Sequence, residues 1–164
     1  NIEIKPLVQG LYFFNLEKLL MVKLNKTQPQ ILCVDDEEIG LMVLESLLKP
    51  YPCKVDFVYN GQEAINFVNK KERENCKYDI IFMDCNMPVL DGISATRIIQ
   101  DNCLKSKQRP YYVIAVTAND STADRAKCLE NGMTEYIKKP IQKYHIDDIM
   151  KKLLEQYKDS KIQI

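Results

Sequence analysis

Ile31-Leu32-Cys33-Val34-Asp35-Asp36 is a continuous apolar run of strand length that stops on two carboxylates. With no polar alternation, it predicts a strand covered on both faces, the pattern of a parallel sheet. The same arrangement recurs outward along the chain. Asp79–Met83 is followed by Asp84, Tyr112–Val116 by Thr117, and Glu135–Ile137 by Lys138-Lys139-Pro140, while Lys54–Tyr59 is a fifth strand candidate. Helical patterns separate these runs. Asp36, Glu37 and Glu38 put negative charge at a first helical turn and Pro50 stops that helix. Asn60-Gly61 and Asn131-Gly132 supply turns. Ile146, Ile149, Met150, Leu153, Leu154 and Tyr157 follow the three-four spacing of one buried stripe. Asn119–Asn131 carries Asp120, Asp124, Arg125, Lys127 and Glu130 with only Ala126 and Leu129 as weak anchors, so it predicts a lightly held helix. Five strands alternating with five helices predict an α/β doubly wound sandwich, because right-handed crossovers leave few other topologies.

The chain of 164 residues has room for one domain and a short appendage. Lys plus Arg number 23 and Asp plus Glu 23, so no net charge draws it to nucleic acid or an anionic membrane. Cys33, Cys53, Cys76, Cys85, Cys103 and Cys128 all stand at least nine positions apart, which excludes a Cys-x-x-Cys metal or redox pair. Without a signal peptide they fit a reducing, cytoplasmic setting and serve as core packing. No apolar run approaches the ~20 residues that span a bilayer; direct membrane contact is not expected, although a parent protein could be anchored. The chain opens on Asn1 rather than methionine, which suggests a piece of something longer. Residues 1–29 fall outside the alternation. Phe13, Leu16, Leu20 and Leu24 sit near helical spacing, so Asn15–Asn25 is a candidate short helix and Thr27-Gln28-Pro29-Gln30 a linker. The expected division is a linker or docking segment over 1–29, the main domain over 30–157 and a tail over 158–164.

In an open α/β sheet the working site lies at the carboxyl ends of the strands. Those ends bear Asp35-Asp36, Asp84, Thr117 and Lys139. Adjacent aspartates at a helix start have an ordinary capping explanation. Asp84 does not share it, because it terminates a strand too apolar to end on a carboxylate by accident. Three carboxylates brought together repel unless one is protonated or a cation neutralises them. All-oxygen ligands point to a hard divalent ion, with magnesium the expected choice and manganese the alternative. A carboxylate attacks phosphorus when a metal and a cation offset the charge on the phosphoryl oxygens. Lys139 is the candidate cation, and a cis bond to Pro140 would aim it over the site. Thr117 is either a hydroxyl donor to a phosphoryl oxygen or a helix cap.

Four segments then form one pattern. Ile31-Leu32-Cys33-Val34-Asp35-Asp36-Glu37, Met83-Asp84-Cys85-Asn86-Met87-Pro88-Val89-Leu90-Asp91-Gly92, Ala115-Val116-Thr117-Ala118-Asn119 and Tyr136-Ile137-Lys138-Lys139-Pro140-Ile141 together resemble the receiver domain of response regulators and hybrid histidine kinases. The resemblance runs from Gln30 to about Tyr157 and implies a flavodoxin-like (βα)5 sandwich with strand order 2-1-3-4-5. It implies that Asp84 is the phosphorylation site, accepting from a phosphohistidine on a kinase or a histidine phosphotransfer domain. Asp36 and Asp84 would ligate magnesium directly, Asp35 largely through water, and Asn86 through its backbone carbonyl. Lys139 would hold the phosphoryl oxygen. Thr117 and Tyr136 would be the switch pair acting on the α4-β5-α5 face, and a receiver dimer is left open. Asp91-Gly92 matches the turn into the third helix and needs only turn chemistry. Glu37 stands where many such receivers carry Asn, and Cys85 where aliphatic residues are usual.

The implied activity is that of a reactant with autodephosphorylation rather than a turnover enzyme. A magnesium-dependent phosphatase with an aspartyl nucleophile is disfavoured because Asn86 replaces its second Asp and no Thr follows Pro88. A phosphorylation-independent interaction module is the other alternative, and the retained Asp35, Asp36, Asp84, Thr117 and Lys139 weigh against it. A flavin site is disfavoured because Asp35-Asp36-Glu37-Glu38 would repel the flavin phosphate. No effector domain is expected after Tyr157, and the receiver at the end of a hybrid kinase is the expected parent arrangement.

Overall fold

The computed structural model describes residues 28–162 except Asp120, with side chains as far as Tyr157. The candidate helix Asn15–Asn25 lies outside the described residues. Strands and helices alternate throughout: β1 Gln30–Val34, α1 Glu38–Leu48, β2 Lys54–Val58, α2 Gly61–Arg73, β3 Ile80–Asp84, α3 Gly92–Lys105, β4 Val113–Thr117, α4 Thr122–Glu130, β5 Glu135–Lys138 and α5 Lys143–Ile162. The five strands are parallel in the order β2-β1-β3-β4-β5. Every residue of β1, β3 and β4 is buried, which is why these runs carry no alternation.

The two-residue period of the strands divides those side chains between two cores. Leu32, Val34, Ile81, Met83, Val113 and Ala115 face Ala64, Ile65 and Val68 of α2 and Ala95 and Ile99 of α3. Ile31, Cys33, Ile80, Phe82, Ile114 and Val116 face Leu41, Leu44 and Leu48 of α1 and Ile146, Ile149, Met150 and Leu153 of α5. The predicted stripe on the last helix is thus realised except at Leu154, which is half-buried and joins neither core; Tyr157 is partly buried against the same core and its hydroxyl donates to Asp79 Oδ2 at 2.7 Å. Helix α5 continues past Tyr157 to Ile162. No helix among the described residues is long and apolar enough to cross a membrane.

Two local expectations are corrected. Helix α1 has Glu37 as its N-cap, so only Glu38 lies in the first turn, and Asp36 stays in the loop before it. The reason is that Asp35 Oδ1 accepts from the Glu37 N–H at 2.9 Å and holds the turn open ahead of the helix. Helix α4 is lightly anchored as predicted, but by Cys128 alone; Ala126 and Leu129 are exposed. A helix of 9 residues meets the sheet over so little length that one position points fully inward. Asn60 caps α2 by accepting from the Glu63 N–H, and Gly132, with φ of 91°, takes the left-handed turn after α4.

Candidate functional site

Strand order reverses at β1, which lies between β2 and β3, so the loops leaving β1 and β3 open a crevice there. The register pairs Val34 with Met83, placing the next residues, Asp35 and Asp84, side by side at the rim. Ligand oxygens of Asp35, Asp36 and Asp84 all lie within 4.8 Å of one another. Asp35 and Asp84 are buried and Asp36 is exposed. The Lys139 ammonium bridges the two buried ones, at 2.8 Å from Asp35 Oδ2 and 2.7 Å from Asp84 Oδ2. Its backbone N–H donates to the Thr117 carbonyl at 2.8 Å, and the bond from Lys139 to Pro140 is cis.

Burial pushes the Asp84 carboxyl up from its ordinary value of 3.8. The Lys139 hydrogen bond and the Asn86 N–H, which donates to Asp84 Oδ1 at 3.1 Å, oppose that rise, while the Asp35 charge adds to it. Lys139 moves upward as well: burial alone would lower it, but its bonds to Asp35 and Asp84 outweigh the burial. One ammonium thus faces three carboxylates. The charges do not cancel, and at about 4 Å and an effective dielectric near 20 each like-charged pair costs about 4 kcal/mol. An all-oxygen, net-anionic donor set fits a hard divalent cation such as magnesium, and Asp35, Asp36 and Asp84 are the side chains positioned to hold it.

Thr117 is buried at the end of β4, and its Oγ1 accepts from the Asn119 N–H at 3.2 Å. The cap of α4 is instead Ser121, which accepts from the Asp124 N–H at 3.0 Å, so the capping explanation for Thr117 falls away. Tyr136 sits one strand further out, paired with Ala115 in register. It is partly buried against the core, and the Arg125 guanidinium of α4 lies 5.0 Å from its ring centroid. Asn86 is exposed beside Asp84. All the side chains singled out at the strand ends therefore gather at one rim, with Tyr136 on the adjoining edge strand.

Two glycines that sequence reasoning missed complete the site. A Cβ on Gly40 would stand 2.3 Å from Asp35 Oδ2, so the first turns of α1 admit the carboxylate only because the residue is Gly. A Cβ on Gly92 would stand 1.9 Å from the Asp84 carbonyl oxygen. Asp91-Gly92 therefore does more than turn the chain. For Gly40 a signal was present, since a lone glycine inside a helix costs about 1 kcal/mol and implies a close approach. For Gly92 the helix-start position disguised it.

Residues 31–152 match the family model described as the response regulator receiver domain. Among curated proteins, the chain is 35% identical over 128 residues to hybrid signal transduction histidine kinase L of Dictyostelium discoideum, covering 78% of this chain and 7% of that protein. It thus spans only a small part of such relatives. Among solved structures, it is similar to a co-crystal structure of the Saccharomyces cerevisiae histidine phosphotransfer signalling protein Ypd1 and the receiver domain of its downstream response regulator Ssk1. There the TM-score is 0.67 at 29% identity, over 75% of this chain and 86% of that one. The receiver domain of the histidine kinase CKI1 from Arabidopsis thaliana, complexed with Mg2+, matches with TM-score 0.67 at 28% identity, over 76% of this chain and 91% of that one. With the family model covering residues 31–152 and the strand order β2-β1-β3-β4-β5, this chain belongs to the response regulator receiver domain family.

Proposed function

We propose that this domain accepts a phosphoryl group on the Asp84 carboxylate from a phosphohistidine borne by a kinase or a histidine phosphotransfer domain. The observation that carries the reading is the Lys139 ammonium bridging Asp84 and Asp35, with Asp36 in reach, at the mouth of the crevice. An Asp84 oxygen attacks phosphorus in line, the phosphorus–nitrogen bond breaks, and the departing imidazole takes up a proton. Lys139 stays within reach of the oxygens on which charge accumulates. The Thr117 hydroxyl, a hydrogen-bond acceptor for Asn119 in this state, turns to donate to a phosphoryl oxygen. Asp36, Asp84 and the Asn86 carbonyl, with Asp35 largely through water, would hold magnesium, which would supply the remaining charge neutralisation.

Movement of Thr117 and Lys139 toward the new dianion opens space for Tyr136 and biases α4, β5 and α5, the face offered to a downstream partner. The receiver unit is 30–157, with 1–29 as a linker or docking segment, and its parent is a hybrid histidine kinase. Incubation with a small phosphodonor and magnesium is expected to yield one hydroxylamine-sensitive phosphate per chain. Asp84→Asn is expected to abolish it. Undiminished labelling of that variant would move the acceptor elsewhere, and no labelling of the unmodified chain would favour a phosphorylation-independent interaction module.

A further inference from the structure

Cys85 and Cys128 are 43 positions apart in sequence, yet their sulfurs lie 3.5 Å apart in the core. Both are free thiols and both are buried, at 4% and 2% exposure. Their positions matter more than their burial. Cys85 is the first residue after β3, directly behind Asp84, and Cys128 is the sole buried residue of α4. Two elements that otherwise touch little therefore meet through two sulfurs. Closing from 3.5 Å to a disulfide length of about 2.05 Å needs a shift of roughly 1.5 Å. A helix anchored by one side chain supplies such a shift at low cost.

We propose that Cys85 and Cys128 form a reversible dithiol–disulfide site that ties α4 to the end of β3. The oxidant is a low-molecular-weight disulfide of the glutathione class. Both thiols are shut away from solvent, so the packed pair is inert, and reaction starts from a local opening of α4. The exposed Cys128 loses its proton to solvent, and its thiolate attacks one sulfur of the oxidant. The oxidant's sulfur–sulfur bond breaks and one thiolate leaves, giving a mixed disulfide on Cys128. As α4 recloses, the Cys85 thiolate attacks the Cys128 sulfur and expels the second thiolate. Two electrons pass to the oxidant, and the two protons end on the released thiols. The site makes no use of the phosphoacceptor reading and stands if that reading fails. In a reducing compartment such a disulfide is a transient, regulatory bond rather than a structural one.

The test uses the intact native chain. It is equilibrated with oxidised glutathione, blocked with N-ethylmaleimide, digested and read by mass spectrometry. The expected product is a linked pair of the Cys85 and Cys128 peptides, lighter by two hydrogens and released by dithiothreitol. Hydrogen exchange of amides 122–130 is expected to slow at least tenfold in the oxidised chain. Cys85→Ala and Cys128→Ala are each expected to remove that slowing, and Cys85→Ala to leave a glutathione adduct on Cys128. Mixed adducts only, a linkage through another cysteine, or a linked pair with unchanged exchange in the unmodified chain would each overturn the proposal.

Discussion

Lys139 and Asp84 show how one residue's burial sets another's role. Asp84 is pushed up by burial and kept ionisable by the ammonium 2.7 Å away, so neither group works as a surface charge would. Gly40 is the quiet partner of this pair. Replacing it by Ala gains about 1 kcal/mol of helix propensity, yet the new Cβ meets Asp35 Oδ2 at 2.3 Å. Asp35 has no room to give, being buried and held by both Lys139 and the Glu37 N–H. Gly40→Ala is therefore expected to cut the rate of phosphate incorporation at least tenfold, with far-ultraviolet circular dichroism unchanged. A variant labelled at the ordinary rate would show that the carboxylate moves freely and that the contact is unimportant.

Among elements, α3 and α4 differ in how they are held. Helix α3 starts from Asp91, whose carboxylate accepts from the Ser94 N–H at 2.9 Å and from the Ser94 hydroxyl at 2.8 Å. Burial alone would raise this carboxyl, but the bonds from Ser94 hold it below its ordinary value of 3.8. A depressed carboxylate contributes stability that is present above the ordinary value and is lost as the pH falls through the lowered one. Asp91→Ala is expected to cost about 1 kcal/mol in urea unfolding at neutral pH. The gap to the unmodified chain should close as the pH drops through and below the lowered value; a gap independent of pH would remove the cap as its cause. Helix α4 is capped by Ser121 but buries only Cys128, so little packing resists its local opening.

At the scale of the molecule, the sheet order places β1 and β3 at the centre, sealed by two cores, and leaves their ends to carry the cost of the acidic cluster. The Asp84 carboxyl is raised in the folded chain, so its contribution to stability is complete below the ordinary value of 3.8 and is lost as the pH rises through the raised one. At neutral pH the ionised Asp84 carboxyl works against the fold. In chelator, Asp84→Asn is expected to melt higher than the unmodified chain, by about 2–4 °C for each kcal/mol relieved. Magnesium at about tenfold its dissociation constant should stabilise the unmodified chain by about 1.4 kcal/mol, from RT ln(1 + [L]/Kd). The variant should respond far less. Equal magnesium shifts in both proteins would place the ion away from Asp84.

What the sequence by itself determined was the alternation and the chemistry at the strand ends. Ile31–Val34 and Ile80–Met83 are apolar without a break because both faces of a central parallel strand are covered, and local composition records that directly. Asp35, Asp36, Asp84 and Thr117 were legible for the same reason, since they follow such runs, whereas Lys139 follows the half-exposed edge strand Glu135–Lys138 and was singled out by the Pro140 after it. Only the tertiary structure decided the rest. That Ser121 and not Thr117 caps α4, that Cys128 anchors it in place of Ala126 and Leu129, and that Cys85 meets Cys128 depend on how a short helix lies across the sheet. The need for Gly40 and Gly92 arises from atoms supplied by other segments, Asp35 and the Asp84 carbonyl. Close approaches between segments leave no periodic mark in the chain, whereas two-sided burial does.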